Sequence, residues 1–141
     1  MFYIAPILTP NLTVRNSYVM VNLKHQFIDL STLRENTLGN VSIEKEIMLL
    51  FIDMIDDYVA TLYKELPNKN WQALYEATHK IKPNIDMFGI HSLESTIIEL
   101  ETSFKYEKNL DTIEAPTNLV ASTFKEVKKE IQLELNSMQD A

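Results

Sequence analysis

Apolar residues from Ile43 onward recur at steps of three and four: Ile43, Ile47, Leu50, Phe51, Met54, Ile55, Tyr58 and Leu62. That spacing lines one face of a helix and predicts a long amphipathic element starting at Ser42. Ser42 can accept from the first-turn amides, and Glu44 and Glu46 complement the positive end of the helix dipole. Pro67-Asn68-Lys69-Asn70 ends this element and offers Asn70 as cap for the next, which is expected to run from Trp71 toward Phe88 and stop at Gly89. Another helix is predicted near His91 or Ser92, on a stripe of Leu93, Ile97, Leu100 and Phe104. The last follows the Asn109–Ala115 stretch, takes Pro116 into its first turn, and carries Val120, Phe124, Val127, Ile131, Leu135 and Met138 at regular steps. A short helix is expected around Asp29 to Thr37, capped by Asp29 or Ser31 and ended at Gly39.

Four long helices joined by connections of a few residues are best accommodated as antiparallel neighbours. The expected fold class is therefore all-α: an antiparallel up-and-down four-helix bundle with an additional short N-terminal helix and an extended N-terminal arm. Residues 1–28 are read as that arm or as a linker, because they hold Pro6, Pro10 and a Ser17–Leu23 run without helical period; residues 29–141 are read as the bundle.

Composition narrows the function classes. With 141 residues, 45% of them hydrophobic, one core can be filled without metal or disulfide, and only two glycines and five prolines disfavour a turn-rich β fold. Cysteine is absent, which removes disulfides, thiolate zinc sites and a cysteine nucleophile. A net charge of −7 argues against a nucleic-acid surface, and Lys125, Lys128 and Lys129, interleaved with Glu126 and Glu130, read as a solvated helix face. The apolar first fourteen residues lack a basic start and are broken by Pro6 and Pro10, so neither a secretory signal nor a membrane span is expected, and the cytoplasm is the expected location. Asn11-Leu12-Thr13 and Asn40-Val41-Ser42 match the glycosylation acceptor pattern, and without a secretory signal they are read as chance. No glycine-rich phosphate loop is present, which disfavours a self-contained kinase.

The histidines carry the candidate chemistry. His25, ahead of the bundle, reads as a surface residue, and His91 as a cap or turn residue. His79 differs. Advancing about 100° per residue from Trp71, Leu74, Ala77, Thr78, Ile81, Ile85 and Phe88 fall between roughly 240° and 340°, the arc that must face the core. His79 lands near 80°, with Gln72, Tyr75, Lys82, Pro83 and Asp86 around it between about 20° and 120°. Spacing alone favours the plainer interpretation, a solvated surface histidine. The chemical alternative is a ring nitrogen offered to an incoming electrophile, with Lys82 at i+3 placing positive charge beside an arriving phosphoryl group.

Residue order favours the chemical alternative. Asn70-Trp71-Gln72-Ala73-Leu74, then His79-Lys80-Ile81-Lys82, then Gly89 ten residues after the histidine, resemble the active helix of the histidine-containing phosphotransfer (HPt) domain family. Ile28-Asp29-Leu30 with Leu33, Gly39-Asn40, and Leu49, Leu50 and Phe51 are similar to the family's opening segment and second helix, and Leu100-Glu101 resembles its following helix. The resemblance covers about residues 28–130. One departure is Pro83, four positions after the histidine, where the family usually has glycine. Proline removes the amide that would bond the His79 carbonyl, so a kink just past His79 is predicted.

The resemblance implies a phosphocarrier that is not a kinase: His79 accepts a phosphoryl group from a receiver-domain aspartate and passes it to another receiver. Lys82 steadies the charge, and Gln72, Tyr75, Pro83 and Asp86 form the docking surface. Asp86, one turn beyond Lys82, also reads as its surface ion pair. No intrinsic cofactor is implied, since Mg²⁺ comes with the receiver. The partners implied are response-regulator receiver domains or a hybrid sensor histidine kinase, with no nucleic acid and no membrane. Two rivals stand beside it. Glu76-Ala77-Thr78-His79 fits the Glu-x-x-His pattern of ferritin-like di-iron bundles, though it lacks a second copy. Pro83 motivates the other, a module of the same fold that docks a receiver without transfer.

Overall fold

The computed structural model describes residues 25–139, so all but the last four residues of the expected 1–28 arm lie outside the described residues. Five α-helices follow one another: α1 (Ser31–Asn36), α2 (Val41–Glu65), α3 (Trp71–Met87), α4 (Glu94–Tyr106) and α5 (Glu114–Gln139). Short 3₁₀ turns at His91–Leu93 and Leu110–Thr112 lead into α4 and α5. The four long helices run antiparallel in sequence order, as their cross-contacts show. Between α2 and α3, Tyr58 meets Thr78 while Met54 meets Asn84. Between α3 and α4, His79 meets Glu101 while Trp71 stacks on Phe104. α5 closes the ring against α2, with Lys128 on Asp56 and Phe124 edge-on to Tyr58. None of the described helices is long and apolar enough to cross a membrane.

The core is built from the predicted stripes and centred on aromatic packing. Phe51 stacks on Phe88 at 4.3 Å between ring centroids and meets Phe124 edge-on at 6.2 Å. Leu74, Ile81, Ile97, Leu100, Val120, Val127 and Ile131 fill the space around them, all buried. Two members of the predicted α2 stripe lie off this face: Ile43 and Leu50 are exposed, because the buried line runs through Met48, Phe51, Ile55, Tyr58 and Leu62. The cap of α2 also sits earlier than expected. Asn40, not Ser42, accepts from the Ile43 amide at 3.1 Å.

Glu130 and His25, read from sequence as solvated, and Glu44, read as complementing the helix dipole, hold the N-terminal end of the bundle together. Glu44 is buried in α2, accepts from the Thr37 hydroxyl at 3.0 Å, and faces the Arg34 guanidinium at 3.9 Å. Glu130 takes three successive backbone amides, of Gln26, Phe27 and Ile28, at 2.7–3.1 Å. The His25 side chain is covered rather than on the surface, its Nε2 at 2.7 Å from buried Glu134, which Arg34 also binds. An extended segment has spare amides that a buried surface cannot leave unpaired, and a carboxylate one turn from another on α5 satisfies them. His91, by contrast, stands exposed at the start of its turn as expected, 2.8 Å from Glu94.

This segment reaches α3 through Gly89. The Asp29 amide donates to the Phe88 carbonyl at 2.9 Å, and Gly89 follows with φ +56°. A Cβ at Gly89 would lie 2.6 Å from the Asp29 carbonyl oxygen, so glycine is required by both conformation and contact. Asp29 itself accepts from the Ser31 amide and hydroxyl, which start α1.

Two outcomes follow for stability. Gly89→Ala should cost about 2 kcal/mol or more, from left-handed strain and the backbone clash together; chemical denaturation checks it, and a loss within error of zero would contradict the contact. Burial raises the Glu134 carboxyl's pKa, but the hydrogen bonds and charges of His25 and Arg34 outweigh burial and hold it below its ordinary 4.5. A carboxylate depressed in the folded state stabilises above its unfolded value and loses that contribution as pH falls through the folded one. Melting temperature should therefore fall with pH below about 4.5, and Glu134→Gln should be less stable at neutral pH with a shallower acid limb.

Candidate functional site

The rotational setting of α3 decides what the site presents. Asn70 caps the helix by accepting from the Ala73 amide at 3.2 Å. Leu74, Thr78, Ile81 and Ile85 turn into the core. Thr78 is fully buried, and its hydroxyl donates to the Leu74 carbonyl at 2.8 Å while sharing a 2.9 Å hydrogen bond with buried Tyr58. Both hydroxyls are thereby satisfied only in this register, since turning α3 would strand two polar groups in a dry core. Burial pushes the Tyr58 phenol well above its ordinary range, with the Thr78 bond pulling weakly the other way, so it stays protonated and able to donate.

With that face inward, His79 faces out, its side chain 66% exposed. Two contacts orient the ring. Its Nδ1 lies 2.6 Å from Oε2 of Glu101 on α4, and Tyr75, one turn earlier on α3, stacks on it at 5.7 Å and 27°. The other oxygen of Glu101 accepts from the Lys82 ammonium at 2.8 Å, so one carboxylate ties the histidine and the lysine together. Partial burial raises the Glu101 pKa, but hydrogen bonds from Lys82 and His79 and the charges they carry prevail and hold the carboxyl below the usual range. An ionised carboxylate only accepts, so the proton shared with it belongs to Nδ1. In the neutral ring Nε2 is then the nitrogen with a free lone pair.

The predicted site residues divide by what they touch. Tyr75, His79 and Lys82 share one cluster with Glu101. Gln72 lies on the same helix but donates to Glu76 at 2.8 Å. Pro83 and Asp86 are exposed further along. Asp86 is not the partner of Lys82; Glu101 takes that place because it approaches from the neighbouring helix, where the lysine leans. α3 continues through Pro83 to Met87, so the proline does not end the helix. Glu76 and His79 both lie on the outer face, so the inward-facing pair that a di-iron core needs is not formed. Two cavities, of about 490 Å³ beside His25, Arg34 and His91 and about 110 Å³ between Met54 and Lys80, both lie away from His79.

Glu101 is the residue that sequence reasoning missed as a member of the site. Its signal was its place beside Leu100 at the edge of the α4 apolar stripe, where a carboxylate can reach a neighbouring helix, but no spacing on α4 says which residue of α3 stands opposite.

A family model for the Hpt domain matches residues 46–141. The chain therefore belongs to the Hpt domain family, whose members serve histidine phosphotransfer in two-component phosphorelays as phosphocarriers rather than kinases. Comparison with curated proteins and with solved structures gave no match.

The tautomer is open to direct measurement. Nitrogen shifts of the neutral His79 ring should report a proton on Nδ1 in the native protein and a shift of population toward Nε2–H in Glu101→Ala. Identical tautomer populations in the two proteins would contradict the role given to the carboxylate.

Proposed function

We propose that this chain carries phosphoryl groups on Nε2 of His79, taking them from the aspartyl phosphate of one receiver domain and handing them to another. The observation that carries this reading is the pairing of Nδ1 with Glu101 on an exposed side chain, which in the neutral ring leaves Nε2 as the nitrogen with a free lone pair. In the forward step the Nε2 lone pair forms the P–N bond while the P–O bond of the aspartyl phosphate breaks. The receiver carboxylate leaves with that electron pair. The ring keeps its Nδ1 proton and becomes a phosphorylated imidazolium, whose positive charge faces Glu101. Donation to the next receiver runs the same step in reverse.

Phosphoryl transfer passes through a loose transition state, so positioning and charge neutralisation accomplish more than protein acid–base groups. The Glu101 contact and the Tyr75 stack supply positioning. Lys82 supplies charge near the ring, and the receiver contributes carboxylates and Mg²⁺. A nucleophile on an exposed helix face suits a reaction in which a second protein closes over it. Pro83 lies on the same face without covering the ring, and this is why carriage is favoured over docking alone.

A panel of radiolabelled phospho-receivers tests the assignment. Native protein should take up label from at least one of them, and His79→Ala should take up none, a loss beyond about a thousandfold because no other group provides the nucleophile. Label reaching neither protein, or both equally, would overturn transfer through this histidine.

A further inference from the structure

The ammonium assigned to the phosphoryl group is already spoken for. Lys82 donates to Oε1 of Glu101 at 2.8 Å, and the same carboxylate holds His79 through Oε2. Before transfer, therefore, Lys82 and Glu101 cancel. Afterwards the phosphoryl group brings about two negative charges, against which the imidazolium supplies one positive charge, so the cluster is left about one cation short.

Lys105 is placed to supply it. It lies one turn beyond Glu101 on α4, and its ammonium sits 5.7 Å from the centroid of the Tyr75 ring, the ring that stacks on His79. A second aromatic contact, 5.4 Å to Tyr106, completes its surroundings, and it pairs with no carboxylate among the described residues. A cation resting on a partly exposed aromatic face is held weakly enough to be given up for a phosphoryl oxygen. Its stem is long and flexible, and the Tyr75 ring that holds the ammonium without neutralising it is the ring that stacks on the imidazole.

We propose that Lys105 is the second phosphoryl-binding cation of this site, parked on Tyr75 in the free protein and moving onto the phosphoryl oxygens once His79 is loaded. This inference rests on His79 being the phosphoryl acceptor. It assigns the two lysines different duties: Lys82 keeps Glu101 ionised and in place, while Lys105 meets the incoming charge.

The test uses the full chain, a phospho-receiver that labels the native protein, and three variants: Lys105→Gln, Lys105→Arg and Lys125→Gln, the last an exposed α5 lysine that controls for net charge. Lys105→Gln should load roughly fivefold more slowly, as expected for loss of one partly exposed charge contact, while Lys105→Arg and Lys125→Gln stay near the native rate. The native rate should also show a steeper salt dependence than that of Lys105→Gln, which a merely structural role would not produce. The phosphorus resonance of the loaded protein should shift in Lys105→Gln relative to native. Native protein that loads normally alongside an equally fast Lys105→Gln with the same phosphorus shift overturns the proposal and leaves His79 transfer standing. Native protein that never loads removes both.

Discussion

The hydroxyl pair between Tyr58 and Thr78 is the constraint on which the site depends. It joins α2 to α3 inside a mainly apolar core, one residue before the exposed histidine. Apolar packing alone tolerates a modest rotation of a helix, because leucine and isoleucine lose little by sliding against each other. Two buried hydroxyls do not, since each left without a partner costs about 1–3 kcal/mol. The pair therefore converts a general preference for burial into a particular phase of α3, and that phase carries His79, Lys82 and Tyr75 outward as a unit. α4 then needs to bring only one residue, Glu101, to the rim of α3.

The acidic balance of the chain takes on meaning at this level. Four carboxylates in this protein serve as joints between elements: Glu101 ties two residues of α3 to α4, Glu130 takes the amides of the leading segment, and Glu134 and Glu44 enclose Arg34 where α1, α2 and α5 meet. A carboxylate suits such joints because its two oxygens can each serve a different partner. The same property makes Glu101 useful to the chemistry. One oxygen selects the tautomer of the nucleophile, and the other holds the lysine that keeps the carboxylate charged. Structural joint and reactive cluster are built from one chemical device.

Much of the bundle was legible beforehand. Period, caps and breakers place α3, α4 and α5 within a few residues, Asn70 caps where it was expected to, and the outward projection of His79 follows from nothing more than 100° per residue. The errors share a cause. Period alone counts Ile43 and Leu50 into a stripe that the neighbouring helices do not cover, and residue type alone assigns Glu130 and His25 to solvent. Each error concerns what lies across from a residue, which periodicity along one helix does not encode.

Linear order thus settled the class of fold, the direction in which the histidine points, and the family, because these depend on relations between residues within a turn or two of each other. Which carboxylate meets which ring depends on relations across the bundle. Glu101 reaches His79 over twenty-two positions of chain, a separation at which only the joint burial of four helix faces fixes the distance. The meeting of the His79 ring and the Lys82 ammonium on one carboxylate came from that assembly and from nothing shorter in range.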